Sequence, residues 1–156
     1  MNEITIIVQF LFVSILAGLI GTAGMTIVMY LITRSGWTNA NMVAAIGSIF
    51  TKSLDNAPGV GLILHFVSGV IFGNIYTLLF KIAGIQGFLD TAGLGLGFGF
   101  VHGFALSFIL VVVVAEHHPL QEFQEAGFSV AIAHIVGHMV YGTLVGAVIG
   151  FSGILG

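Results

Sequence analysis

The charged residues of this chain are few, and their placement constrains the fold more than any other feature. Three basic and six acidic side chains occur in 156 residues: Glu3, Arg34, Lys52, Asp55, Lys81, Asp90, Glu116, Glu122 and Glu125. Between them lie four stretches with no charge at all, 4–33, 56–80, 91–115 and 126–156. A helix that crosses a bilayer needs about 20 predominantly apolar residues, and each stretch exceeds that. Backbone amides in hydrocarbon must be satisfied internally, which restricts spanning structures to helices and closed barrels. A barrel would show short alternating segments of about ten residues, whereas these runs are continuous. The expected fold is therefore an all-α integral membrane protein, a single domain over 1–156, with helices at 5–33, 58–82, 90–115 and 127–151.

Composition agrees. Only 6% of residues are charged and 58% are hydrophobic, with a mean hydropathy of +1.16, against about 25% charged in a soluble domain. The first stretch lacks a basic leader and is too long for a signal sequence, so it is expected to be a true span. With no cysteine, disulfides, thiolate metal sites and iron–sulfur clusters are excluded. A net charge of −3 provides no basic patch for nucleic acid. The expected surroundings are the lipid bilayer and either other membrane subunits or further copies of the chain. The expected location is the cell (inner) membrane, as a multi-pass protein. Arg34 and Lys52 in the first connection, against Lys81 in the second, lean towards the first and third connections being cytoplasmic.

The connection from 34 to 57 is long enough for a structure of its own. Met42, Val43, Ile46, Ile49 and Phe50 recur at helical spacing, Asn39 or Asn41 can cap their start, and Trp37 suits an interfacial anchor. This predicts one amphipathic helix on the membrane surface, with a lid over a site as the sharper alternative. In the third connection, Pro119 suits a first helical turn, and Glu122 and Glu125 complement its positive end. The last helix is expected to begin there, in the interface, before turning inward.

Spans two and four share a pattern. His65, Gly69 and Gly73 match His138, Gly142 and Gly146 as H-x-x-x-G-x-x-x-G, and spans one and three are both rich in glycine. Two tandem two-helix repeats would explain this, and so would chance in a chain with 23 glycines. Residues four apart share a helix face, so Gly61, His65, Gly69 and Gly73, then Gly95, Gly99, Gly103 and Ser107, then His134, His138, Gly142, Gly146 and Gly150 form small-residue stripes. Such stripes let helices approach closely, could make room for a flat cofactor, or could meet a partner subunit.

Ionisable groups inside spans are costly and face the bundle interior. His65, His102, His134 and His138 are such groups. By the rise of about 1.5 Å per residue, His65, His134 and His138 lie roughly 9 to 16 Å below the face of the first and third connections. His134 and His138 project from one face. With His65 and His102 they offer up to four nitrogens for Zn, Cu or Fe, and His65 with His138 could be axial ligands of a b-type haem. Glu116, His117 and His118 at the mouth are a second metal candidate. Interhelical hydrogen bonding is the plain alternative for every histidine. No catalytic residue is identified: H-E-x-x-H, G-x-S-x-G and the P-loop are missing, as are carboxylates within the spans.

The run Gly18 to Gly24 with Met25 and Thr26, the run His65 to Gly73, and Ala133, His134 and His138 to Gly142 resemble small four-helix membrane proteins of bacteria and archaea classed as domains of unknown function. The resemblance implies a fold and no activity. The leading expectation is a small non-catalytic subunit of a larger membrane complex, with a redox complex as one candidate, packing through its glycine faces. The alternatives are a haem- or metal-binding membrane protein and a small transporter component.

Overall fold

The computed structural model describes residues 2–125 and 127–156. Helices α1 (Glu3–Arg34), α3 (Ala57–Ile82), α4 (Phe88–Ile109) and α7 (Phe128–Ser152) form the bundle. A π-helical turn, Leu110–Val114, and the short α5 (Ala115–His117) prolong α4, so that Phe88–His117 acts as one long apolar rod. All four rods are long and apolar enough to cross a membrane. No strand occurs among the described residues. The chain is an all-α membrane protein. Large apolar side chains such as Ile63, Val101, Phe104 and Phe108 point outward, as they do where the surroundings are lipid rather than water.

The four rods alternate in direction. The start of α1, the end of α7 and the turn after Ile82 lie on one face, and the connections 35–56 and 118–125 lie on the other. The second face carries α2 (Met42–Thr51), whose first turn is capped by Asn41 accepting from the Ala44 amide at 3.2 Å. It also carries the single turn α6 (Gln121–Gln124). Here the structure differs from expectation. The last span does not continue from α6, because Gly127 is extended (φ −110°, ψ −162°) and α7 starts afresh at Phe128.

Glycine determines how closely the rods approach. A Cβ at Gly18 would stand 2.6 Å from the Gly69 carbonyl, and one at Gly73 2.7 Å from the Gly18 Cα, so α1 and α3 meet backbone to backbone. A Cβ at Gly99 would stand 2.8 Å from the Met139 Cα, and one at Gly150 2.7 Å from the Phe88 Cα, which joins α4 to α7 in the same way. Gly47 and Gly61 do this for α2 against α3. The hydroxyls within these seams turn back on their own helices. Thr22 donates to the Gly18 carbonyl, Thr77 to Gly73 and Ser107 to Gly103, which leaves no bare donor in a dry interface.

The rods thus form two tight pairs, α1 with α3 and α4 with α7, and α1 also packs along α7. A faithful two-unit repeat would set α3 against α4 just as closely. Instead α3 and α4 are bridged by rings: Phe72 lies on His102 with centroids 4.1 Å apart, Tyr76 meets Phe98 edge-on at 5.7 Å, and Phe80 stacks on Phe98 at 5.7 Å. The bulk of these rings holds the two backbones apart.

Candidate functional site

On the α2 side of those rings, the gap between α3 and α4 is a cavity of about 340 Å³. All four intramembrane histidines line it: His65 from α3, His102 from α4, and His134 and His138 from α7. Thr22 and Met25 of α1 form its back wall, and Met42, Ala45, Ile46 and Ile49 of α2 close it towards the membrane surface. Apart from the histidines and a few hydroxyls, the lining is aliphatic or aromatic.

The hydrogen bonds of the rings fix their chemistry. His134 Nδ1 lies 2.9 Å from the Val130 carbonyl and His138 Nδ1 lies 2.7 Å from the His134 carbonyl. A carbonyl only accepts, so both Nδ1 atoms carry the proton, and in the neutral ring each Nε2 is then a lone-pair acceptor. His102 Nδ1 is 3.1 Å from the Tyr76 hydroxyl. The Nε2 atoms of His65, His102 and His134 are all buried without a partner. His134 is 4% exposed, His138 7% and His65 8%. Tyr141, also in the lining, donates to the Gly69 carbonyl at 2.6 Å and ties α7 to α3 below the rings.

The rings gather without forming a chelate. His102 and His138 meet edge-on with centroids 4.7 Å apart, while His134 and His138 lie 6.5 Å apart along one helix. Among the described residues, no three His, Asp or Glu side chains are placed to share one metal ion. The Nδ1-to-carbonyl bonds of His134 and His138 do have the form of the outer support that orients metal-bound histidines. A divalent ion would however meet only neutral nitrogens, since no carboxylate is among the lining residues of the cavity. Its charge would stay uncompensated in a low-dielectric site, at a cost of several kcal/mol.

The mouth residues separate. His118 is buried and joins two elements: its Nδ1 accepts from the Leu120 amide at 3.1 Å, and its Nε2–H donates to the Ala45 carbonyl of α2 at 3.0 Å. Both ring nitrogens are therefore engaged within the protein. Glu116 and His117 stand at the exposed end of α5. The structure adds residues that the sequence reading did not single out. Tyr76 and Tyr141 belong to the cavity region, and the π-turn contributes Leu110 and Val114 to its wall. The β-branched run Val111 to Val114, which crowds an α-helix, is a faint sequence signal for the π-turn, and none points to the two tyrosines.

No protein-family model, no curated protein and no solved structure matches this chain.

Proposed function

We propose that the chain is a membrane-embedded binding protein for a neutral, ring-sized, lipid-soluble molecule that carries hydroxyl donors, with a hydroquinone head group as the type. One observation carries the reading: four histidines surround one apolar cavity, and the Nε2 atoms of three of them are buried with no partner, that of His134 fixed as an acceptor. A buried acceptor left bare costs about 1–3 kcal/mol. A ligand whose hydroxyls reach these nitrogens recovers that cost while its ring fills the apolar volume. The volume of about 340 Å³ is at the small end for organic ligand sites, which run to about 1,000 Å³. A neutral ligand also suits a site without carboxylates better than a divalent ion does. The ring-bridged gap between α3 and α4 offers a way in from the bilayer.

The glycine faces support this reading over that of a non-catalytic subunit. They are used between helices of the same chain, as at Gly18 with Gly69 and Gly99 with Met139, so they need no partner to explain them.

The test is binding of a short-chain alkyl hydroquinone and of its dimethyl ether, which keeps the shape and removes the donors. The hydroquinone is expected to bind to the purified protein in bilayers. Each acceptor left unpaired by the ether should weaken binding by about 1–3 kcal/mol, roughly fivefold to 150-fold. Equal binding of the two compounds refutes the reading. So does stoichiometric haem or metal in protein extracted gently from its native membrane. Recovery only within a larger particle, with an empty cavity, would restore the subunit reading.

A further inference from the structure

A second cavity, of about 240 Å³, lies between the histidine cavity and the membrane face that carries α2 and α6. Its walls are unlike those of the first. Thr38, Asn39, Asn41, Ser129, Glu122 and Glu125 line it, with His118 at its side. No lysine or arginine is among its lining residues. A polar hollow of this size has room for several waters with partners to hold them. The two cavities share a wall made by Met42 and Ala45 of α2, Leu110 and Val114 of the π-turn, and His134. His134 is the one polar residue common to both, its Nδ1–H is committed to Val130, and its buried Nε2 has no protein partner.

We propose that the outer cavity is a one-sided aqueous half-channel that brings water and protons from the face of α2 and α6 to His134 Nε2. A proton arriving along the water is taken by the Nε2 lone pair and gives an imidazolium that keeps its Nδ1–H bond to Val130. It leaves by returning to the same water, so no other reactant is needed. The titratable groups facing His134 are His118, Glu122 and Glu125 on the outer side and His65, His102 and His138 on the inner side. The two glutamates give the mouth the sign that concentrates cations. Among the described residues, neither cavity is lined by any nearer the opposite face than Thr22, Phe72, His102 and Tyr141, so the described lining gives water no continuation to that face. The inference stands on the outer cavity and His134, and a ligand hydroxyl bonded to Nε2 from the inner cavity would compete with the proton for the same lone pair.

The chain has no cysteine, so single-cysteine variants of the full protein can be read without background. In oriented proteoliposomes, methanethiosulfonate ethyltrimethylammonium, a permanent cation that does not cross the bilayer, is applied to one face at a time. Ser129→Cys and His134→Cys are expected to react from the face of α2 and α6 only. Val136→Cys, near His134 in depth but exposed towards lipid, is expected to stay unreacted. Reaction of His134→Cys from both faces overturns the proposal, as does reaction at Ser129→Cys with none at His134→Cys. A measurement on the unaltered protein guards against a variant that fails to fold. Polarisation transfer from water to the ¹⁵N-labelled His134 side chain in bilayers should give a signal at Nε2 that is lost in Ala45→Phe, which plugs the shared wall. No water signal at His134 in the unaltered protein refutes the half-channel.

Discussion

Replacing His65 by leucine should make the empty protein more stable, the reverse of what a structural histidine would do. His65 is 8% exposed, and its Nε2 is buried without a partner. In the empty bundle this ring nitrogen has lost its water and gained no partner, at a cost of about 1–3 kcal/mol. It lines the inner cavity, whose wall is mostly apolar, and not the polar outer one. Leucine removes the nitrogen and presents apolar surface to the same wall. The expected change is a stabilisation of about 1 kcal/mol or more, measured as reversible unfolding in mixed micelles followed by helical circular dichroism. Tyr141→Phe is the internal control. It deletes a satisfied bond to the Gly69 carbonyl and should destabilise by about 0.6 kcal/mol, the average for hydrogen bonds between membrane helices. Hydroquinone should then stabilise the unaltered protein more than His65→Leu. If His65→Leu destabilises the empty bundle as Tyr141→Phe does, the nitrogen has a structural partner and the argument for a ligand site fails.

Three further outcomes follow from the packing. Gly99→Ala should destabilise by about 1–3 kcal/mol as an overpacked contact, because its Cβ would meet the α7 backbone, whereas Gly97→Ala, with nothing within 4 Å of the added carbon, should be neutral or stabilising in the same unfolding assay. Asn41→Ala removes the cap of α2 and should cost about 1 kcal/mol, seen as faster amide exchange over Met42–Thr51. Lys52 ends α2 in the left-handed region at φ 53°, so Lys52→Gly should stabilise by about 1 kcal/mol, again read in the exchange of α2.

The spans were legible because charge and lipid exclude each other: Arg34, Lys81, Asp90 and Glu116 stand at or near helix ends. The Asn41 cap was legible because side-chain caps are local. The gathering of His65, His102, His134 and His138 was legible in part, since burying ionisable groups inward places them together but does not say how far apart. Other features depend on contacts that periodicity cannot express. His118 read as a candidate ligand, and its use as a tie depends on the Ala45 carbonyl, remote in sequence. The extended Gly127 that separates α6 from α7 was hidden because the acidic turn before it looked like an ordinary helix start. The π-turn at Leu110–Val114 reads in sequence as unbroken apolar helix.

The cavity itself follows from an inequality between two helix faces. Between α1 and α7, small residues meet the partner's side chains directly: a Cβ at Gly21 would lie 2.9 Å from the Tyr141 ring and one at Gly137 2.9 Å from the Met29 sulfur. Between α3 and α4, the corresponding seam is filled by Phe72, Tyr76, Phe80, Phe98 and His102. Rings of this size act as spacers. They hold two helices apart at one level and cannot fill the space at the next, where the small side chain of Ser68 leaves it open. Had the repeat been carried through with glycine on both seams, the bundle would have closed and the histidines would have been squeezed against backbone. Aromatic residues on one seam and glycine on the other keep the bundle tight on three sides and leave a gap on the fourth, at the level where the unpaired nitrogens lie.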